Sequence, residues 1–456
     1  MTTMTGAGRR LQGVILPSDP GYEAARRVWN GSIDRRPALI VRCRDAEEVA
    51  GALAYARKQE LLVAVRGGGH SIPGHSVCDD GIVIDLSPMK AVEADLDRST
   101  ARAQAGVTWG EFDRATQELG LATTGGQVST TGIAGLTLGG GVGWLMRKHG
   151  LACDNLLSVE LVTADGERVT ASEHENPDLF WGLRGGGGNF GIATSFEYQL
   201  NPLGPVLAGF AVHRAARAVE VLRQVRDHLA EAPDELTTFL VLFHAPPEPP
   251  FPADLQGKLV LAVAPCYAGP LEQGEQVVAP LRALGPPGLD LLQPMPYTAL
   301  QTMLDASVPP GLQHYEKSDF LGELSDAAID TIVAHSLEMT SPLSQVIVAQ
   351  MGGAVRRVDM EETAFSHRDA GFFYIVAPFW TEPAEADVHV AWTRNFWEAM
   401  RPFARGVYVN FLGDEGEERV RAAYGEATYE RLVALKNRFD PTNVFRLNQN
   451  IPPSNA

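Results

Sequence analysis

The sequence predicts a globular protein of the α+β or α/β class, in which short apolar strands and amphipathic helices are mixed along the chain. Two observations carry this prediction. Apolar runs typical of buried strands alternate with runs of helical periodicity, as in PALIVR at 37–42 and the segment that begins at Asp45. Glycine-rich loops also follow several strand ends, as RGGGH follows the apolar run LLVAV.

The composition is that of an ordinary globular protein. The 456 residues include 45% apolar and 21% charged residues, 46 Gly, 30 Pro and 4 Cys. These values exclude collagen-like, disulfide-scaffold and broadly disordered chains, and the length allows about two to four domains. The formal net charge of −18 argues against binding to nucleic acid or to an anionic membrane, because both require clustered Lys and Arg.

The cysteines and the first residues predict a cytoplasmic protein. Cys43, Cys78, Cys153 and Cys266 form no close pair and no C-x-x-C motif, which favours reduced, buried thiols. The stretch MTTMTGAGRRLQGVILPSDP has no long apolar core, so it does not resemble a signal peptide. No apolar run approaches about 18 residues, so we expect no membrane span.

The first 200 residues mix short predicted strands with predicted helices. Asp45 is a good N-cap for the amphipathic helix that runs through Ala56. The remaining patterns predict helices at 108–119 and 177–183, with strands at 37–42, 61–65, 82–86, 156–164 and 192–200.

The composition changes at NPLGP, residues 201–205, and this predicts a domain boundary near 203. Beyond it the sequence predicts a Pro-rich surface loop at 246–252, and it shows no internal repeat. The predicted elements are helices near 214–230, 270–284, 325–339, 384–400 and 426–438, with strands at 237–243, 258–264, 345–350, 372–380 and 407–411.

Glycine is concentrated in three windows, 66–81, 120–150 and 185–191, which hold 20 of the 46 glycines. The third window, GGGGNFG, contains G-x-G-x-x-G, but a Rossmann fingerprint needs a strand before it and a helix after it. Here the preceding residues are helical and the following ones alternate like a strand. The sequence therefore argues against a Rossmann site, and no P-loop or G-x-S-x-G elbow is present.

The middle window predicts a loop that wraps a large flat ligand. Its glycines are interspersed with hydroxyl residues, and apolar residues such as Ile133 and Trp144 would anchor it, unlike a flexible linker. In the first window, His70, His75 and Cys78 resemble a metal set at first sight. Structural zinc normally requires four well-spaced ligands, so a His70 side chain carried against a ligand by three glycines is the preferred interpretation.

Four motifs in order resemble FAD-linked oxidases of the vanillyl-alcohol oxidase/p-cresol methylhydroxylase fold, and within them the berberine-bridge-enzyme-like branch. These motifs are RGGGHS, the GGG-x-G-W run with KHGL, RGGGGNFG and the terminal FDPTNVFRLNQNI, and the match runs from about Pro17 to Pro453. The resemblance implies an α+β protein with three parts. A two-subdomain FAD-binding domain spans 1–203, a substrate domain with an antiparallel sheet flanked by helices spans 204–425, and residues 426–456 return to the FAD domain.

The resemblance also implies a covalent flavin. The His of RGG-x-H in this family bonds to the 8α-methyl carbon of FAD, and that residue is His70. Many relatives add a second bond through a Cys, but Ser129 occupies the expected position and Cys153 lies beyond it, so we expect one covalent bond. The residues expected to contact FAD are Arg66, Gly67, Gly68, Gly69, His70, Ser71, His75, Gly126, Val128, Ser129, Thr131, Gly132, Gly135, Gly139, Gly141, Gly143, Tyr408, Asn448 and Asn450.

For catalysis, GVYVNF at 406–411 resembles the Y-x-N strand of the family, so Tyr408 is the first candidate for the base. A free phenol has a pKa of about 10, so this role requires a lowered pKa. Asn410, two residues on, would share the strand face and orient substrate or flavin. The secondary candidates are Tyr374 and Gln350, on strands of the antiparallel sheet that is expected to cover the flavin. His314 and Tyr315 would line the entrance to the pocket. Thr131 or Gly132 would leave space for oxygen.

Three functions are compatible with these residues. The leading hypothesis is an oxidase that transfers hydride from an alcohol, amine or activated C–H to FAD, which O2 reoxidises with release of hydrogen peroxide. The alternatives are a flavin-dependent oxygenase or dual oxidase that tailors a polyketide-like specialised metabolite, and a flavoprotein that binds a ligand without turnover. The expected partners are a small substrate and O2, with no metal, in a monomer or homodimer.

Overall fold

The computed structural model describes residues 5–6 and 9–455, with side chains from Leu11 onward. Residues 1–4, for which no signal sequence is predicted, lie outside this range. The first part of the chain builds a four-stranded sheet, sheet A. Its strands pair in parallel except at the Val14–Ile15 edge, and their order is Val14–Ile15, Leu39–Arg42, Ile82–Asp85 and Val63–Arg66.

The next strands form an antiparallel five-stranded sheet, sheet B. Its order is Arg168–Ser172, Leu156–Val162, Ile192–Gln199, Thr100–Gln104 and Val92–Asp95. Sheets A and B share one apolar core, which includes Ile82 and Ile84 of sheet A and Phe196 of sheet B. The glycine-rich loops leave these two sheets, so this core holds their ends in fixed positions.

Ten antiparallel strands between residues 206 and 406 form sheet C. Its main path is Leu289–Asp290, Ala211–Arg214, Leu259–Tyr267, Leu236–His244, Gln345–Gln350, Phe372–Ala377, Lys317–Leu321 and Ala404–Gly406. The strands Val206–Ala208 and Gln293–Met295 pair beside Leu259–Tyr267. Alternate residues of each strand face a helical layer on one side and the first two sheets on the other, so the register decides which residues reach the site.

The helices cover these sheets and follow ordinary capping chemistry. Asp45 accepts the backbone N–H groups of Glu47 and Glu48, and Thr108 and Glu111 form a capping box. The helices are Tyr22–Arg26, Ala46–Lys58, Trp109–Gln117, Ile133–Leu138, Met146–His149, Pro177–Leu183, Ala218–Leu229, Leu271–Arg282, Tyr297–Thr302, Asp326–Ser336, Ala354–Arg357, Ala386–Met400, Glu417–Tyr424 and Glu426–Phe439. Among the described residues, three strand pairs stand apart from the three sheets: Thr5–Gly6 with Arg9–Arg10, Asn201–Pro202 with Leu121–Ala122, and Gln313–His314 with Phe379–Trp380.

The predicted mixed class is confirmed as α+β, and most predicted elements agree with the structure within a few residues. The predicted strand at 407–411 is wrong: the strand is Ala404–Gly406, and Val409–Phe411 forms one turn of 3-10 helix. Gly406 ends the strand with φ +149. The chain then turns so that Tyr408 contacts the glycine-rich loop at Gly141. Among the described residues, no helix is long and apolar enough to cross a membrane. The division of the chain at 203 and 426 stays a prediction.

Candidate active site

A cavity of about 410 Å³ lies where the loops of sheets A and B meet sheet C and the C-terminal tail. Of the predicted site residues, those that line it are Gly67, Gly68, Gly69, His70, Ser71, His75, Gly126, Val128, Thr131, Gly132, Gly135, His314, Tyr408, Asn410 and Asn448. Residues that are hundreds of positions apart in the sequence therefore share one concave surface. Pockets of this size normally hold small ligands or cofactors.

His70 lies at the end of the strand Val63–Arg66, after three glycines that carry the chain into the cavity wall. Its ring stacks on Trp29 with the centroids 5.0 Å apart, and its Nε2 lies 2.9 Å from Thr130 Oγ1. Burial lowers the pKa of His70 to about 4, so the imidazole is neutral at neutral pH. A neutral imidazole held in one orientation has a lone pair available for bonding to an electrophilic carbon.

The glycine windows have two different tasks at this cavity. Gly68 and Gly132 allow two loops to pack in direct backbone contact, because a Cβ on Gly68 would lie only 2.2 Å from the Gly132 nitrogen. Gly135 and Gly188 line the cavity, and a Cβ on either would enter open space. Side chains at these two positions would therefore project into the cavity. We call the glycines that line the cavity the glycine cradle, and their lack of side chains leaves room for a large ligand.

Tyr408 and Asn410 lie together on the turn that follows the last strand of sheet C. The Tyr408 hydroxyl oxygen accepts the Gly141 N–H at 2.7 Å and the Asn410 Nδ2–H at 2.8 Å. Asn410 Nδ2 also donates to the Leu136 carbonyl at 2.9 Å. Burial raises the pKa of Tyr408 above its usual range, so the phenol keeps its proton. With both lone pairs occupied, the hydroxyl can act as a donor to a ligand.

The comparisons with known proteins agree with this arrangement. The family model described as FAD binding domain matches residues 37–172, and the model described as berberine and berberine like matches residues 407–452. A FAD-linked oxidoreductase of Dictyostelium discoideum is 31% identical over 97% of this chain and 95% of its own length. The chain belongs to the FAD-linked oxidoreductases of the berberine-bridge-enzyme-like group.

Two further similarities extend over the full chain. The (R)-6-hydroxynicotine oxidase of Paenarthrobacter nicotinovorans is 31% identical over 98% of both chains. The crystal structure of 6-hydroxy-D-nicotine oxidase from Arthrobacter nicotinovorans has a TM-score of 0.88 and 30% identity, covering 97% of this chain and 98% of that one. The present FAD-linked oxidoreductase thus shares its fold, over nearly the whole chain, with relatives that are named oxidases.

The cavity fits FAD on its own chemistry. Besides the open glycine cradle, it has buried polar atoms without a partner, including both ring nitrogens of His75 and Oδ1 of Asn448. Such atoms are costly unless a ligand or water satisfies them. The family model described as FAD binding domain matches residues 37–172, and these open glycines and unpaired atoms fit a bound FAD.

The C-terminal tail is tied to the GGGGNFG loop by a buried ammonium group. Lys436 Nζ donates to Asp440 Oδ2 at 2.7 Å, to the Asn189 carbonyl at 3.0 Å and to the Phe445 carbonyl at 2.9 Å. Asn448 Nδ2 donates to the Gly188 carbonyl at 3.2 Å. These bonds hold the tail against the cavity, which explains how Asn448 reaches the site.

Replacing Lys436 by Met should lower the free energy of unfolding by about 3–5 kcal/mol, because it leaves the fully buried Asp440 carboxylate without its cation. Denaturant unfolding of the FAD-loaded protein measures this change. The matched control is Arg44→Met: Arg44 pairs with Glu48 on an exposed helix start, and its loss should cost less than about 1 kcal/mol. Equal losses in the two variants would contradict the anchoring role of Lys436.

Three glycines of the middle window that were expected to contact FAD support the cavity from behind. A Cβ on Gly139 would lie 2.1 Å from Asn410 Oδ1, and one on Gly143 would lie 1.7 Å from the Gly125 carbonyl oxygen. Gly141 serves through its N–H bond to Tyr408. None of the three is among the residues that line the cavity, so the observed role of these glycines is in packing.

Three other predicted cofactor residues are not among those that line the cavity. Arg66 is buried and pairs with Asp85 at 2.8 Å. Ser129 turns away from the cavity, and its Oγ donates to Asp305 Oδ2 at 2.6 Å. Asn450 does not line the cavity either. Arg66 and Ser129 bind partners inside the protein, Asp85 and Asp305, and the glycine-rich motifs do not reveal these partners.

The prediction that Tyr374 and Gln350 roof the pocket is wrong, because both side chains lie on the opposite face of sheet C. Tyr374 lies on the helix-covered side of sheet C, and its hydroxyl donates to Asp319 Oδ2 at 3.2 Å. Gln350 Nε2 donates to the Leu229 carbonyl on that same side. The neighbours Ile347 and Ile375 face the cavity instead. Because successive side chains of a strand alternate, one position decides the face.

The predicted catalytic role of Tyr408 also changes. A base would need a lowered pKa, whereas burial raises the pKa of this phenol, so the geometry favours a hydrogen-bond donor. His314 lines the cavity as expected, but Tyr315 points elsewhere and accepts a hydrogen bond from Arg394 Nε at 3.3 Å. In the described part of the chain, no cluster of three or more His, Cys, Asp or Glu side chains is arranged for a metal.

Sequence reasoning missed several residues of the cavity wall. Glu316 is the most notable, since it is 6% exposed and burial raises the pKa of its carboxyl. Its only signal was its position two residues after His314, in a segment without clear strand alternation. The other missed lining residues include Trp29, Gln345, Phe379, Gln449 and Asn189.

Proposed function

We propose that this protein is an oxidase whose FAD is bonded covalently to the chain through His70 alone, and which oxidises a small organic substrate. The observation that carries the proposal is the convergence of His70, the glycine cradle, Tyr408 and Asn410 on one cavity. FAD, when bound, accepts a hydride from substrate and passes two electrons to O2, which is reduced to hydrogen peroxide.

The single covalent bond is supported by the side chains around the cradle. His70 is neutral and held between Trp29 and Thr130, as a nucleophilic imidazole must be. Val128 lines the cavity where Ser129 does not, and neither residue carries a thiol. The four cysteines are buried and free, and none is among the described residues that line the cavity. A second bond of the flavin to sulfur therefore has no nearby residue to form it.

The remaining residues of the proposed site position the reactants. Tyr408 and Asn410 hold each other at 2.8 Å and are fixed to the loop at Leu136 and Gly141, so the phenol proton has a set direction. Thr131 and Gly132 are small residues of the cavity wall and are the proposed space for oxygen. The substrate is proposed to be a specialised metabolite, and we keep the cytoplasm as the proposed location and a monomer or homodimer as the proposed assembly.

Incubation of the purified protein with a panel of small alcohols, amines and activated aromatic C–H compounds tests the oxidase proposal. Under anaerobic conditions a substrate should bleach the flavin, and air should restore the colour with one hydrogen peroxide per product. Incorporation of oxygen from labelled O2 into the product would support the alternative of an oxygenase or dual oxidase acting on a polyketide-like metabolite. Ligand binding without bleaching across the panel would favour a flavoprotein without turnover.

A further inference from the structure

A second polar group, separate from Tyr408, lies in the cavity wall. Glu316 and His314 are 6% and 3% exposed, and both line the cavity. Glu316 is the single carboxylic acid among the described residues that line it, and no Lys or Arg lies among them. These two residues therefore form an acidic corner in the described cavity lining, which has no Lys or Arg side chain.

The hydrogen bonds of this corner define where its protons are. His314 Nδ1 lies 2.9 Å from the Pro378 carbonyl oxygen, which can only accept, so Nδ1 carries a hydrogen. His314 Nε2 lies 3.1 Å from Glu316 Oε2. One proton must lie between these two atoms, because otherwise two lone pairs would face each other. Oε2 is thus occupied within the protein.

The imidazole of His314 is held so that it cannot turn away from Glu316. Its ring stacks on Phe379 with centroids 4.3 Å apart and an interplanar angle of 14°, and the edge of Trp29 lies at 5.4 Å. Its backbone is bonded on both sides, since Ser32 Oγ accepts the His314 N–H and Asn30 Nδ2 donates to the His314 carbonyl. The Glu316 carboxyl therefore has a fixed orientation in the cavity.

The second oxygen of this carboxyl has no partner. Glu316 Oε1 is buried and makes no hydrogen bond in the protein. A buried carboxylate oxygen without a donor is costly, and a fixed one is kept where a ligand supplies the donor. The wall on this side is mostly apolar or aromatic, with Trp29, Ile347, Ile375 and Phe379, and Gln345 adds one neutral amide.

We propose that Glu316 determines substrate specificity: its Oε1 accepts a hydrogen bond from an N–H or O–H group on a substrate that is otherwise apolar. His314 is the positioning residue that occupies Oε2 and leaves Oε1 as the unpaired acceptor. A carboxylate-bearing substrate is disfavoured, since the lining offers no Lys or Arg to pair with it. An oligosaccharide is also disfavoured, because this part of the wall has few polar side chains for its many hydroxyls.

The inference rests on the proposed function in one respect, that substrate occupies this cavity beside FAD. Its test is binding, measured on the FAD-loaded protein by the change in flavin absorbance, so it is independent of turnover. The probes are two matched pairs: indole with 1-methylindole, and 2-naphthol with 2-methoxynaphthalene. The donor-bearing probe of at least one pair should bind about 10- to 100-fold more tightly, the range for satisfying a buried acceptor that otherwise has no partner. The pair that does so distinguishes an N–H from an O–H substrate.

Glu316→Leu removes the acceptor at similar size, so the preference for the donor-bearing probe should disappear in this variant. Glu382→Leu, on the exposed segment after Trp380, removes a carboxylate of the same neighbourhood and should leave the preference intact. A preference that persists in Glu316→Leu would reflect the bulk of the added methyl group and would overturn the proposal. Equal binding of both members of each pair to the native protein, or no binding of any probe at millimolar concentration, would overturn it too.

A crystal structure of the native protein with the preferred probe keeps the test decisive if Glu316→Leu does not fold. The probe donor should lie within hydrogen-bond distance of Glu316 Oε1, and a donor directed elsewhere would contradict the proposal. Failure of the oxidase proposal has a different signature. In that case the donor preference would be present, but no compound that binds would bleach the flavin under anaerobic conditions.

Discussion

The His70→Ala variant is expected to release all of its FAD when the protein is precipitated with acid, whereas the native protein keeps the yellow colour in the pellet. The physical reason is that the imidazole of His70 is neutral, is oriented by Trp29 and Thr130, and follows three glycines into the cavity wall. Flavin absorbance of the pellet and of the supernatant measures the result, which should fall from one covalent FAD per chain to none.

His75→Ala is the matched control for this experiment. His75 lines the same cavity five residues further on, and burial lowers its pKa to about 4 as well. Its two ring nitrogens have no partner within the protein, so its role in the proposal is to contact the cofactor without bonding to it. The covalent flavin should remain in His75→Ala. Covalent flavin in His70→Ala, or its loss in His75→Ala alone, would contradict the assignment of His70.

The Tyr408→Phe variant is expected to lower the rate of flavin reduction by substrate about 10²- to 10³-fold, the usual cost of removing one aligned donor from an active site. The change deletes a hydroxyl whose two lone pairs are occupied by Gly141 and Asn410, so the lost interaction is its donated proton. Stopped-flow absorbance under anaerobic conditions measures the rate, with the substrate found in the peroxide screen.

The pH profile separates a donor from a base at this position. Because burial raises the pKa of Tyr408, the phenol stays protonated across pH 5–9 and adds no ionisation there. The profiles of the native protein and of Tyr408→Phe should therefore have the same shape and differ in height. Loss of an ascending limb in the variant would show instead that Tyr408 acts as a base. Tyr424→Phe, a buried phenol outside this cavity, should leave the rate unchanged.

Much of the fold is predictable because its signals are local. The helix after Asp45 was recognisable from its N-cap and apolar period, and the structure begins it at Ala46. The order of elements around GGGGNFG, a helix before and a strand after, excluded a Rossmann site from the sequence, and the structure confirms that order. The segment 407–411 was mispredicted because its apolar alternation is that of a strand, whereas Gly406 turns the chain after residue 406.

The site was predictable where a motif forms the wall and not where packing selects a face. RGGGH placed His70, and the terminal NQNI placed Asn448. Tyr374 and Gln350 failed because the two faces of a central strand are both apolar here, so alternation could not tell which face meets the cavity. Glu316 was missed since its role depends on Pro378 and His314, contacts that only the folded chain creates.

The measurement that tests the covalent FAD oxidase most directly is the mass of the denatured native chain, followed by mapping of its peptides. One FAD per chain, carried by the peptide that contains His70 and by no cysteine peptide, is the result that the proposal predicts. A denatured chain with the mass of the unmodified polypeptide, or a flavin shared between His70 and a cysteine, would contradict it.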